Sequence, residues 1–307
     1  MPEEVFGERY QFLKREKLLT FEEITRLSRV IVSLGAVKLR LTGGEPLMRQ
    51  DFDTLVAMLA AIEGVEDLAM TTNAYFLPDK AHALKAAGLQ RITVSLDSLD
   101  NDTFRAMNGG RAEVEQVLRG IEAAIEAGFA PVKINCVVKR GVNDHTLTEM
   151  ARYAREHGHI LRFIEYMDVG TLNGWRMDHV VPAREIVERV HAAFPLEPVR
   201  RNYDSETALR FRYLDGAGEI GVIASVTRPF CGDCSRMRLS PEGQMYTCLF
   251  ASEGVDLKTP LRAGATDDEL GAIVADTWRK RDDRYSELRG AGGLISPEKI
   301  QMYYIGG

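Results

Sequence analysis

Short strands alternate with helices through the first two thirds of this chain, and the strands carry polar residues at every second position. "VKLRLT" (37–42), "LAMTT" (68–72), "RITVSL" (91–96), "VKINCVV" (132–138) and "LRFIEY" (161–166) read as strands. Helices are expected near 79–87, 113–127 and 144–157. Another begins at the Thr20–Glu23 capping box and carries Ile24, Leu27, Ile31 and Leu34 at helical spacing. Asp51 is placed as the N-cap of a further helix that Gly64 ends. This order predicts parallel strands with right-handed crossovers, in a barrel or an open doubly wound sheet.

The alternation within each strand narrows the choice. Val37, Leu39 and Leu41 oppose Lys38, Arg40 and Thr42; Ile92, Val94 and Leu96 oppose Thr93, Ser95 and Asp97; Val132, Ile134 and Cys136 oppose Lys133 and Asn135. A sheet buried on both faces reads as continuous apolar runs. One apolar and one polar face call instead for a curved sheet, with helices outside and a wet, charged hollow inside. The same parity makes Cys136 a core thiol.

Beyond about residue 200 the pattern changes. Hairpins are expected around Asp215–Gly218 and around Pro241–Gly243, and a helix over 267–280. The expected division is 1–200 as a partial barrel and 201–307 as a C-terminal extension ending in a Gly-Gly tail.

The totals exclude several classes. Of 307 residues 45% are apolar, enough for a full core and too many for global disorder. Lys plus Arg number 39 against 45 Asp plus Glu, a net charge of −6, which argues against wrapping long nucleic acid. No window has the length of a transmembrane helix, and "MPEEVFGERY" has no signal-peptide core. Four cysteines do not make a disulfide scaffold; a reducing, cytoplasmic setting is expected, with thiols free for metal.

Three of those cysteines, Cys231, Cys234 and Cys248, are spaced C-x2-C-x13-C within "FCGDCSRMRLSPEGQMYTC". Metal binding is the expected use. Zinc needs a fourth protein ligand, for which His159 and His179 are candidates, whereas a 4Fe-4S cluster on three thiolates leaves one iron open for substrate. Spacing alone leaves both open. Arg236 and Arg238 are two apart on an expected strand, so both point to one face beside the thiols, and guanidinium pairs suit phosphate. With Lys38, Arg40 and Lys133 they make five cations expected around one hollow, which need a counter-anion such as a polyphosphate. "LTGGEPL" (41–47) ends a strand with glycines that let a ligand approach the backbone, and Glu45 or exposed carbonyls could take an ammonium group. "TTNA" (71–74) puts Thr71 at another strand end, the ligand end in barrels.

Taken together, "RLTGGEPL", "TTN", "VSLDSLD", "RFIEYMDVG", "NGW", "FCGDCSRMRLS", "YTCLFA", "RDDRYS" and the terminal "YIGG" run nearly the whole chain in order. The chain resembles the radical S-adenosylmethionine GTP 3′,8-cyclases of molybdenum cofactor biosynthesis. The resemblance implies an α/β fold: an incomplete (β/α)6 TIM-like barrel with a C-terminal β-hairpin and helix extension over its open side. It implies a lyase that converts GTP and S-adenosylmethionine to 3′,8-cyclo-7,8-dihydro-GTP through a 5′-deoxyadenosyl radical. Carried over by motif, Gly43, Gly44, Glu45, Ser95 and Met167 are expected at S-adenosylmethionine. Lys38, Arg40, Thr71, Lys133, Arg236 and Arg238 are expected at GTP. Cys231, Cys234 and Cys248 hold a 4Fe-4S cluster whose open iron meets the guanine, and Gly306 and Gly307 project into the site, in a catalytic role with the two arginines. Implied partners are a reductant for the cluster and, for the product, cyclic pyranopterin monophosphate synthase. A homodimer is compatible with the family; long nucleic acid and membrane are not expected partners.

Two departures stand out. The family's Cys-x3-Cys-x2-Cys loop, which holds a first 4Fe-4S cluster, is absent from this sequence, and "MPEEVFG" corresponds to the residues just past it. The expectation is that Met1 is an internal methionine, that the first barrel strand is missing, and that the chain as written does not cleave S-adenosylmethionine. The alternative is a truncated or non-catalytic homologue that binds purine nucleotide with an iron–sulfur cluster or zinc. The second departure is Ala74, where the family usually has glycine after "TTN".

Overall fold

The computed structural model describes residues 15–170, 174–290 and 299–300. The expected alternation is present as α1 (Phe21–Ser33), β1 (Lys38–Leu41), α2 (Phe52–Ala60), β2 (Asp67–Thr72), α3 (Leu77–Ala86), β3 (Arg91–Ser95), α4 (Asn101–Asn108), α5 (Val114–Glu126), β4 (Lys133–Val138), α6 (Leu147–Glu156) and β5 (Ile160–Glu165). Strands β1 to β5 pair in sequence order, all parallel. Then follow α7 (Ala183–Ala193), β6 (Leu196–Val199), β7 (Leu209–Tyr213) and β8 (Glu219–Ile223). The hairpin around Asp215–Gly218 is β7–β8, and it continues the same sheet: β8 pairs parallel with β5, and β7 and β6 follow antiparallel. The eight-stranded sheet stays open, with β1 and β6 at its edges. This is the incomplete barrel expected, with β8 as a sixth parallel strand.

The strand faces divide as their parity requires. Ile92, Val94, Ile134, Cys136, Leu161 and Phe163 are fully buried against the helices. The other face of β4 and β5 is half-buried at every second residue. Burial at about 25 cal/mol per Å² of apolar surface drives the helix-side packing. Cys136 is a core thiol, raised well above its ordinary pKa by burial.

The remaining elements form the extension. The hairpin around Pro241–Gly243 joins β9 (Arg238–Leu239) to β10 (Gln244–Tyr246), and β11 (Val255–Asp256) completes a three-stranded sheet. Helices α8 (Lys258–Arg262), α9 (Asp267–Arg279) and α10 (Tyr285–Gly290) follow. A second core of Leu27, Val30, Met245, Leu257, Leu261, Leu270 and Val274 docks the extension on α1. Glu23 with Arg262 and Arg26 with Asp267 edge this contact.

Two local expectations need correction. Asp51 stands at the N-cap of α2 but makes no side-chain cap: its φ of 52° turns the carboxylate away from the first helical N–H groups. Gly64 does not end that helix, which stops at Ala60; it sits in the following turn with φ 93°. Among the described residues no helix is long and apolar enough to cross a membrane.

Candidate functional site

The parallel register builds a cationic hollow. Lys38, Asp67, Arg91 and Lys133 are the first residues of β1 to β4. Lys38 pairs with Asp67, Ala69 with Arg91, Thr93 with Lys133 and Asn135 with Arg162, so their side chains share the inner face. Together with Arg40 and, from the segment before β7, Asn202, Tyr203 and Glu206, they line a cavity of about 230 Å³. Gly221 pairs with Arg162 in register, and a Cβ there would press on Ala208 Cβ at 3.2 Å while meeting Arg162 Cγ in ordinary contact at 3.4 Å.

Five cations therefore meet in one hollow, but they are not the five expected. Lys38, Arg40 and Lys133 are present; Arg236 and Arg238 are not among its lining residues, and Arg91 and Arg162 take their place. Arg91 has a carboxylate partner, Asp67, through a two-point contact with Nε at 2.8 Å. Among the described residues Lys38, Arg40, Lys133 and Arg162 have no salt bridge; Arg40 donates to Thr71 Oγ1 at 3.4 Å, and Lys38 Nζ stands 3.6 Å from the Tyr203 ring centroid. Burial, then repulsion from Arg162, Arg91 and Arg40, lowers Lys133 to a pKa of about 8. Burial and the charges of Arg162 and Arg91 bring Arg40 to about 10. Bringing like charges together is unfavourable unless an anion joins them.

At the other ends of the same strands lie the residues expected at S-adenosylmethionine. Gly43 (φ 143°) and Gly44 follow β1, and a Cβ on either would meet nothing within 4 Å, which leaves open space over that turn. Ser95 ends β3 and is exposed. Between Ser95 and Arg162 in the register, Asn135 has a buried Oδ1 with no protein partner among the described residues. Glu45 is already occupied: it accepts from Leu47 N, Thr72 Oγ1 and Asn73 N at 3.1, 2.8 and 2.8 Å, so it ties the turn to the end of β2. Burial raises its pKa. Asn73 leads into Ala74, whose φ of 67° is the left-handed conformation that favours glycine. Met167 lies two residues past β5, next to the buried Asp168, which accepts from Tyr285, Arg289 and Lys299 and so brings α10 and the chain near residue 299 to this end of the barrel.

The thiols occupy a third place. Cys231 and Cys234 share a turn closed by Cys234 N to Cys231 O at 3.2 Å, and Cys248 Sγ accepts from Phe250 N at 3.4 Å. Arg236 precedes β9 rather than lying on a strand, so the two arginines do not share a strand face. Its guanidinium reaches Cys234 Sγ at 3.4 Å. Burial opposes the Cys234 thiolate, but Arg236 outweighs it and the pKa falls. Arg238 is lowered to about 10 by burial and by Arg236, while the charges of Cys234 and Cys248 act against that shift. Among the described residues no set of three or more His, Cys, Asp or Glu is gathered tightly enough to hold a metal ion. His159 packs instead with Tyr153 and His157, and His179 with Tyr166. The donor chemistry fits an iron–sulfur cube better than a single ion: a cube's thiolates bind different irons and stand apart, whereas a lone zinc draws four ligands to one point. Gly306 and Gly307 lie outside the described residues.

Known proteins resemble this chain along nearly all of its length. Residues 6–154 match the Radical SAM superfamily, and residues 159–287 match Molybdenum Cofactor Synthesis C. A GTP 3′,8-cyclase of Acidothermus cellulolyticus is 48% identical over 331 aligned residues, across all of this chain and 91% of the relative. The chain belongs to the GTP 3′,8-cyclase family. Relatives of that name from Xanthomonas axonopodis pv. citri (49%) and Staphylococcus haemolyticus (43%) align over all of this chain and 91% of their own length. Among solved structures, Streptococcus suis SuiB superposes with a TM-score of 0.59 at 14% identity, over 88% of this chain and 61% of that one, a likeness of fold. Membership in this family makes the chain a radical SAM lyase of molybdenum cofactor synthesis, with use of a 4Fe-4S cluster and S-adenosylmethionine.

Arg91 and Arg162 are the lining cations that sequence reasoning passed over. The signal was available: Arg91 lies at even spacing from Thr93 and Ser95, and Arg162 alternates with Leu161 and Phe163. Asn202, Tyr203 and Glu206 carry no comparable signal, since a loop's place depends on the strands it joins.

Proposed function

We propose that the hollow holds the triphosphate of GTP, and that the nucleotide runs from there along the inner face of the sheet towards the strand ends and the thiols. The observation that carries this reading is a hollow with five cations of which, among the described residues, one has a carboxylate partner. Lys133 pairs with Thr93, two residues before Ser95, and Arg40 lies three residues before Gly43, so at about 3.3 Å per residue the upper lining of the hollow is roughly 7–10 Å from those strand ends, while Lys38 marks its lowest level.

In this reading Lys38, Arg40, Lys133 and Arg162 bind the phosphates, with Thr71 steadying Arg40. Gly43, Gly44, Ser95 and Met167 face S-adenosylmethionine, and Glu45 holds their turn in place. Cys231, Cys234 and Cys248 hold a 4Fe-4S cluster that takes the guanine at its open iron, and Arg236 and Arg238 set the charge around it. Gly306 and Gly307 complete the site. S-adenosylmethionine would supply hydrogen-atom abstraction only with a first cluster, whose Cys-x3-Cys-x2-Cys loop is not in this sequence. The chain's residues hold the ribose so that C3′ meets C8 of the same nucleotide, and anchoring both ends of GTP restricts it to that approach. Functionally we keep the expected division into a barrel half (1–200) and a cluster and substrate extension (201–307), with β7 and β8 of the second part continuing the barrel sheet. A cytoplasmic setting, an external reductant, a homodimer and hand-over to cyclic pyranopterin monophosphate synthase belong to the same proposal.

Titration of GTP into the anaerobically iron- and sulfide-reconstituted chain tests it. Lys133→Ala and Arg238→Ala should each weaken GTP by about tenfold or more, with iron content unchanged. Wild-type GTP affinity in both variants, or one zinc per chain in place of iron, would overturn the reading.

A further inference from the structure

The hollow is bordered by a segment that the phosphate-binding cations do not explain, and in the strand register Lys38 and Asp67 are its lowest residues. Asn202, Tyr203 and Glu206 lie between β6 and β7 and line the cavity beside the first residues of the strands. The segment is built to stay put. Glu206, 5% exposed, accepts from Asn202 N at 2.7 Å and from Asn202 Nδ2 at 3.3 Å. Arg210 donates to Asn202 Oδ1 at 2.8 Å and to Arg200 O at 2.9 Å, and it is itself held by Glu219 on β8.

Tyr203 is the residue of this segment whose ring meets a cation of the hollow. Its ring carries the Lys38 ammonium at 3.6 Å, close enough for a strong cation–π contact, and its phenol lies within electrostatic reach of Arg40 and Arg162. The ring fixes Lys38 at the floor and keeps it from swinging up its flexible stem towards an anion seated higher. Glu206 adds a buried carboxylate to the same lining, held by Asn202.

We infer that Asn202–Glu206 is a phosphate-counting floor: Tyr203 reserves Lys38 for the outermost phosphate of a triphosphate, and Glu206 marks the stop. This rests on the polyphosphate reading of the hollow, and not on the identity of the base. A diphosphate anchored at Arg40, Lys133 and Arg162 falls short of Lys38, so the third phosphate gains a cation that the second does not reach.

The test uses the full chain with four probes: tripolyphosphate, pyrophosphate, GTP and GDP, titrated calorimetrically into wild type, Tyr203→Ala and Tyr203→Phe. Tyr203 is 45% exposed, so its truncation leaves no internal cavity, and a thermal melt confirms the fold. Wild type should prefer tripolyphosphate to pyrophosphate, and GTP to GDP, by about tenfold, and Tyr203→Ala should narrow both ratios to about threefold or less. Tyr203→Phe keeps the ring under Lys38 and should keep most of the preference. Equal binding of the two inorganic probes by wild type, or a wild-type ratio in Tyr203→Ala, overturns the floor. Discrimination between the inorganic probes without any binding of GTP leaves the floor standing and removes the guanine nucleotide from the reading.

Discussion

The cation hollow and the thiol arm are made in opposite ways. Every cation of the hollow stands on a strand, and the parallel register sets the spacing from Lys38 across to Arg162 before any ligand arrives. The thiols stand on a turn and on the approach to a loop, with Arg236 in irregular chain between them. Their spacing in sequence is right for a metal, yet their positions in space are not drawn to one point. A sheet can hold like charges together because its hydrogen bonds carry the load. A loop has no such reserve and takes its final shape from what it binds.

The largest effect should come from cutting the join between the two regions. Glu165, at the end of β5, is fully buried and accepts from Ala183 N (2.7 Å), Val226 N (2.7 Å), Thr227 N (2.9 Å) and Thr227 Oγ1 (2.5 Å), just ahead of the first thiol. Glu165→Ala leaves these donors without partners and should cost about 3–5 kcal/mol of stability in urea unfolding. A loss under about 1 kcal/mol would mean that the clamp is not the join.

A crossed comparison comes next. Arg162→Ala should weaken tripolyphosphate by about tenfold and leave iron content at the wild-type level, while the triple Cys231→Ser, Cys234→Ser, Cys248→Ser variant should lose iron and keep tripolyphosphate affinity within about twofold. Loss of anion binding in the thiol variant would show that the two regions fold as one.

A pH series sharpens the contrast further. Lys133 has its folded pKa lowered to about 8 from 10.5 by burial, then by Arg162. Below about pH 8 it is charged in both folded and unfolded chains. Between about 8 and 10.5 the unfolded chain binds more protons, so this group makes the ligand-free protein more stable as pH rises through that window. Anion affinity moves the other way and should fall as pH climbs through about 8. Pyrophosphate titrations from about pH 7 to 9.5 should show the fall, and Lys133→Arg, which stays charged, should flatten it. An unchanged slope in Lys133→Arg assigns the titration to another group.

The smallest effect belongs to Ala74→Gly. The φ of 67° strains alanine, but its Cβ is fully buried and Gly120 of α5 packs directly on the same residue. Relief of strain and loss of packing oppose each other, so Tm should move by no more than the equivalent of about 1 kcal/mol in either direction. A larger drop would give Ala74 a packing role that outweighs its backbone cost.

What could be read from sequence follows the same division. Alternation along β1, β3 and β4 was enough to forecast a polar inner face, and Lys38, Arg40 and Lys133 are on it. The same rule applied to β3's first residue and to β5 would have added Arg91 and Arg162. It could not have excluded Arg236 and Arg238, because chain distance from the barrel says nothing about where a loop returns. Asn202 and Tyr203 were invisible for a related reason: their place follows from β7 pairing with β8 and β8 with β5, a long-range match that local pattern does not carry. Asp51 shows the limit at short range, where a residue type suited to capping sits in a backbone conformation that prevents it.

The hollow also has a blind spot. Its lining is ammonium, guanidinium, amide, phenol and carboxylate, and with a triphosphate seated there these groups meet only phosphate oxygens, which are alike in every nucleoside triphosphate. Adenosine and guanosine triphosphates are therefore equals at that end. On the proposed reading, any choice between purines falls at the far end of the ligand, so fidelity would be the task of the loop-borne thiol arm and not of the phosphate hollow.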